Sequence, residues 1–176
     1  MPKSSKKQIE EDEQKVIEEL SRNANKSINE IAKKCNFSRQ KVWRIIKRLE
    51  KKNIIWGYVT IVDENKKGMK SYMILIKRTS QPLDQEMVKS IIGRKLEQYA
   101  KKIGITIESS FYVNGIYDWI ICFNAEDIKQ AKKLSESLNR LYEGYIQELH
   151  LIEKMFPVKR CGVDNPEVGK LMEFID

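Results

Sequence analysis

Apolar positions recur at helical spacing through the first third of the chain. Val16, Ile17 and Leu20 predict a helix over residues 12–22, followed by a loop at 23–26. Ser27 opens a second helix, with Glu30 at capping-box spacing and Ile28, Ile31 and Ala32 on its inner face. Asn36 stands where that helix must end in a sharp turn, because Asn tolerates left-handed backbone better than most residues. Phe37 can plug the core and Ser38 can cap a third helix. In that helix Val42, Ile45, Ile46 and Leu49 fall at i, i+3, i+4 and i+7 and face inward, and Asn53 is placed to end it. A short turn between the second and third helices predicts a helix-turn-helix unit over residues 11–53, after a flexible polar arm at 1–10.

The pattern then changes. Residues 54–62, IIWGYVTIV, read as a linker strand, and the polar stretch that follows, to residue 69, as a hinge. Residues 72–76 predict a strand. Residues 83–103 predict one helix, with Val88, Ile91, Ile92, Leu96, Tyr99 and Ile103 on one side and Gly93 inside it. Ile105, Ile107, Ser109, Phe111 and Val113 alternate along a second strand. A turn at 114–118 leads into a buried strand at 119–123. Asn124 and Asp127 can cap a helix striped by Ile128, Ala131, Leu134, Leu138 and Leu141, and residues 146–156 predict the last strand. The order β-α-β-β-α-β predicts an α+β fold: a ferredoxin-like unit over 70–157, four antiparallel strands with the helices on one face. Tyr72, Ile74 and Phe111 are too apolar for the opposite face to meet water, so a second copy is expected there. In the tail, 158–176, Val168, Leu171, Met172 and Ile175 have the spacing of a short helix.

Charge singles out the first unit. Residues 1–60 carry 15 Lys+Arg against 8 Asp+Glu, while the remainder carries 18 against 17, so nearly all of the net +8 is local. One unit is built to meet a polyanion and the other is not. With the third helix's apolar stripe turned inward, Arg39, Gln40, Trp43, Arg44 and Lys47 face outward. Arg39 suits bidentate pairing with guanine and Gln40 with adenine. Ser38, Lys41, Lys47, Arg48, Lys51 and Lys52 add backbone and phosphate contacts. Trp43 reads two ways: at the edge of the core under long side chains, or against a sugar or thymine methyl.

Other chemistry finds little support. Cys35, Cys122 and Cys161 form no CxxC, and one histidine leaves no metal-ligand cluster. Cys35 and Cys122 read as small buried hydrophobes. His150, between Leu149 and Leu151, reads as a strand histidine without a catalytic partner. No phosphate-cradling glycine loop and no hydrolase motif is present, so no cofactor and no enzyme activity are expected. No apolar run long enough for a membrane span occurs. The N-terminus lacks the apolar stretch of a secretory signal, so a cytoplasmic, nucleoid-associated location is expected. Abundant Lys, Glu and Ile give an archaeal-like composition.

Residues 12–63 resemble the helix-turn-helix of the Lrp/AsnC (feast/famine) transcriptional regulators. The resemblance rests on DEQKVIEEL, INEIAKKCNFS, the Val42–Glu50 register and NIIWGYVTIVD. The following unit resembles that family's regulatory RAM domain, with its Gly-x-x-Asp turn at Gly115-Ile116-Tyr117-Asp118. The resemblance implies a (winged) helix-turn-helix regulator that binds pseudo-palindromic duplex DNA as a homodimer, with tetramers and octamers known in the family. It implies an amino acid or related effector near Gly115, Tyr117 and Asp118, residues for which turn structure or an oligomer contact is the simpler reading. Asn36 and Asn53 replace the family's usual Gly, Ile45 stands where Arg is common, and residues 79–107 are longer than usual. An architectural, chromatin-like DNA-binding protein is the alternative. A tetrapyrrole-modifying enzyme of the same architecture would want more His and Arg in the second half. RNA binding by the sheet would want a basic Gly-aromatic pattern that SSFYVNGIYDW lacks.

Overall fold

A computed structural model describes residues 5–175, and the chain divides into two compact units between Ile61 and Val62. That division falls inside the stretch expected as a linker.

The first unit holds α1 (Lys6–Arg22), α2 (Ile28–Cys35) and α3 (Arg39–Lys51). Helix α1 begins earlier than expected: the Ser5 side chain accepts from Gln8 N and caps it, so the polar arm does not reach residue 10. Residues 1–4 of that arm lie outside the described residues. Ser27 and Glu30 form the anticipated capping box on α2. Both Asn residues take left-handed backbone, Asn36 at φ 56° and Asn53 at φ 55°. Each closes its helix with a paired set of bonds. Phe37 N reaches Ala32 O and Asn36 N reaches Lys33 O; Ile54 N reaches Leu49 O and Asn53 N reaches Glu50 O. Val16, Ile31, Ala32, Cys35, Val42, Ile45 and Leu49 make the core, with Phe37 and Ile46 at its margin. Residues 54–62 form no strand ladder within the described chain, contrary to the β-rich sequence. A strand needs a neighbour for its amide groups, and none lies here.

In the second unit, after a short 3₁₀ turn at Asn65–Lys67, come β1 (Lys70–Arg78), α4 (Gln85–Ile92), α5 (Lys95–Lys102), β2 (Thr106–Tyr112), β3 (Trp119–Ala125), α6 (Ile128–Leu141) and β4 (Ile146–Lys154). The strands form one antiparallel sheet in the order β2-β3-β1-β4. This is the ferredoxin-like α+β arrangement, with Leu96, Ala100, Leu134 and Leu138 of the helices in one core with Tyr72, Ile74, Ile121 and Phe123.

Three sequence expectations change. The helix expected over 83–103 is two: Gly93 ends α4 and Arg94 takes φ 54° before α5. A Cβ on Gly93 would meet Lys89 O at 2.9 Å, so only glycine fits the break. The alternation expected along β2 is interrupted by a register shift between Ile107 and Ser109. Ile107 packs on the core, Ser110 accepts from Trp119 Nε1, and Phe111 turns away, 53% exposed. Tyr72 and Ile74 lie wholly inside under the helices, so they do not line the open face. That face carries Met73 and Leu75 of β1, Ile120 and Cys122 of β3, Ile152 of β4 and Phe111 of β2, as the strand pairing requires.

The tail adds a two-residue hairpin, β5 (Lys159–Arg160) with β6 (Val163–Asp164), and a 3₁₀ helix at Val168–Phe174. Phe174 packs on Phe156, and Arg160 donates to Val62 O and to Glu108, which ties the tail to its own unit.

Candidate nucleic-acid interface

Helix α3 is amphipathic because its core stripe is complete: Val42, Ile45 and Leu49 are buried. Ser38 caps it by accepting from Lys41 N at 3.2 Å, so that hydroxyl already serves the helix end. The outward face carries Gln40, Trp43, Arg44 and Lys47 at i, i+3, i+4 and i+7, with Arg39 and Lys51 at its two ends; all six are exposed.

The structure divides the helix's cations into two groups. Lys41 Nζ lies 2.6 Å from Asp12 and 3.8 Å above the Phe37 ring. Arg48 Nε lies 2.5 Å from Glu13, which Lys52 also approaches at 3.2 Å. These three cations, all expected at the DNA, each pair with a carboxylate of α1. Asp12 and Glu13 are buried. Burial alone would raise the Asp12 carboxyl, but hydrogen bonds from Lys41 and Gln8 outweigh it and hold Asp12 below the usual carboxylate range.

Arg39 and Lys51 have no acidic partner among the described residues, and Arg44 makes only a bond from Nε to Gln40 O at 3.3 Å. Lys47 is shared: it meets Glu50 at 2.8 Å, and Tyr58 donates to the other oxygen of that carboxylate. Reading α3 alone missed two groups. Lys33 and Lys34 stand exposed at the end of α2, beside the turn into α3. The acidic anchors on α1 also escaped, because only the tertiary contact reveals them; an acidic pair one helix away from a basic helix was the available signal.

Gly115, Tyr117 and Asp118 lie together in the β2–β3 turn. Asp118 is a suture: its N–H donates to Ile76 O, and its carboxylate accepts from Arg78 N at 2.8 Å. Tyr117 meets the His150 ring edge-on at 5.7 Å, and His150 pairs with Glu148. Gly115 keeps ordinary backbone, and a Cβ there would touch nothing within 4 Å, so neither turn nor packing demands a glycine. Among the described residues no cluster suits a metal ion, and no helix is long and apolar enough to cross a membrane.

Residues 13–55 match the family described as winged helix-turn-helix DNA-binding. No curated protein matches the chain by sequence. Solved structures match most of it. An AsnC family transcriptional regulator from Agrobacterium tumefaciens superposes with a TM-score of 0.63 at 18% identity, covering 85% of this chain and 92% of that one. LrpC of B. subtilis does so with 0.58 at 23%, covering 90% and 100%. A transcriptional regulator of Neisseria meningitidis, solved as a complex with L-Met, gives 0.59 at 14%, covering 85% and 91%. Residues 13–55 therefore match a winged helix-turn-helix DNA-binding family, and over most of its length the chain has the fold of the Lrp/AsnC transcriptional regulators.

Proposed function

We propose that this protein is a transcriptional regulator that binds pseudo-palindromic duplex DNA as a homodimer, one α3 in each of two successive major grooves. The observation that carries the reading is the division of charge on α3. Lys41, Arg48 and Lys52 are turned to acidic anchors on α1, and Arg39, Gln40, Arg44 and Lys51 are left facing outward. Arg39 and Gln40, near the helix start, read base edges, while Lys51, Lys33 and Lys34 bind phosphates.

The open sheet face supports dimerisation. Met73, Leu75, Ile120, Cys122, Phe111 and Ile152 form its apolar centre. A polar row closes one end: Ser71 donates to Asn124, Asn124 to Glu108, and Lys154 to Glu108. Lys77 and His150, both paired with Glu148, stand at the other end. An apolar centre with a polar rim is the anatomy of a protein–protein interface. The L-Met complex of the Neisseria structural neighbour supports an amino acid as effector, and the open space around Gly115 leaves the β2–β3 turn free to take one.

The test is selection of bound duplexes from a genomic library by the purified chain, with sequencing of what is retained. A recurrent motif with two half-sites about one helical turn apart is expected. Uniform retention of all fragments would instead support the architectural, chromatin-like reading, in which the specific-to-nonspecific ratio approaches one.

A further inference from the structure

One side chain on the outward face of α3 is chemically out of keeping with its neighbours. Trp43 leaves 52% of its surface exposed on a face otherwise made of Arg39, Gln40, Arg44 and Lys47. It belongs neither to the helical core nor to the partly buried residues packed against it. Among the described residues its indole N–H has no acceptor, its ring stacks on no other ring, and no cation lies over it. About half of this large apolar side chain is left in water, on the same helix face as three cations.

Those cations decide what covers it. Arg39 stands one turn before Trp43 on α3, Lys47 one turn after it and Arg44 next to it in sequence, so whatever docks on Trp43 also meets concentrated positive charge. An apolar protein groove is a poor match for that surroundings; a duplex is a good one. In the major groove a duplex offers base-edge acceptors and phosphates for the cations and a single kind of apolar group, the C5 methyl of thymine. Trp43 falls between Gln40 and Lys47 in the i, i+3, i+7 row, so a helix lying in the groove carries its ring against base edges rather than away from them.

We propose that Trp43 is a thymine-reading residue, its indole packing on the C5 methyl of one thymine per half-site. The assignment rests on the duplex-binding reading above and adds a base preference to it.

The experiment is a double-mutant cycle on the full-length chain. A duplex selected from a random pool is compared with copies in which one thymine at a time is replaced by deoxyuridine, a change that removes the methyl alone. Wild-type protein should lose about fourfold in affinity at one thymine of each half-site, as expected for burial of one methyl-sized group. W43A should bind the parent duplex more weakly and be indifferent, within about twofold, to the same replacement. W43F should keep the thymine preference, since a phenyl ring also packs on the methyl. Trp43→Gln repeats the comparison with a polar side chain, so a folding defect peculiar to W43A cannot decide the outcome. If duplexes bind but wild type and the variants share the same deoxyuridine penalties, the Trp43 assignment falls and the duplex-binding reading stands. If no duplex is retained from the pool, both fall together.

Discussion

Asp12 and Glu13 sort the charges of α3 before any ligand arrives. Each is a buried carboxylate, and each pairs with a cation of α3. The Asp12 carboxyl sits below its usual range, so its pair contributes stability above the unfolded pKa, about 4, and loses it as pH falls through the folded value. Asp12→Asn should thus cost about 1 kcal/mol at pH 7, a modest figure because the Lys41 end is open to water. The difference from wild type should close in urea melts below about pH 4. Lys41 and Lys51 make the functional contrast. Lys41→Met should lower stability and leave the salt dependence of duplex binding unchanged. Lys51→Ala should leave stability unchanged and reduce the salt slope by about 0.9 for each copy of α3 in the complex. Titration at several salt concentrations checks both.

At the scale of elements, the two Asn caps set the angles at which α2 and α3 end. Asn36→Ala places a Cβ-bearing residue at φ 56° without the Asn side chain's local bonding, and should cost about 1 kcal/mol by chemical denaturation. Asn36→Gly should be near neutral, because glycine adopts that backbone freely. These caps were legible in the sequence, since only Asn stood where each apolar stripe stopped. So were the stripe of α3 and the order of strands and helices in the second unit. Less legible were the features that a tertiary neighbour decides. Gly93 was visible, but the left-handed Arg94 that splits α4 from α5 was not. The register shift at Ile107–Ser109 was also hidden: Phe111 lies on the open face as expected, but Ile107 packs on the core, because a bulge reverses every side chain beyond it. Tyr72 and Ile74 were assigned to the open face from apolarity alone, but the alternate residues, Met73 and Leu75, are there. In a strand buried on both faces, composition does not say which set meets the helices. The cations of α3 were all visible, yet their division between α1 and the outside was not.

The whole molecule separates two jobs. The first unit concentrates the positive charge, and the second, nearly neutral, offers the apolar sheet face. Leu75→Glu places a charge at the centre of that face and should shift the chain from dimer toward monomer in sedimentation at micromolar concentration, without unfolding the helical unit. A regulator that needs two copies of α3 on two half-sites should then lose affinity for a full site much more than for a single half-site. On the proposed function, the outward face of α3 binds duplex DNA while its flank holds the helix in place. The most direct measurement of this is fluorescence anisotropy of a labelled duplex from the genomic selection, titrated with wild type, Lys41→Met and the triple variant Arg39→Ala, Arg44→Ala, Lys51→Ala at several salt concentrations. A steep salt slope is expected for wild type and Lys41→Met, and a shallow slope with greatly weakened binding for the triple variant. Equal affinity and slope for the folded triple variant and wild type, or no binding by any of them at low salt, would contradict the proposed function.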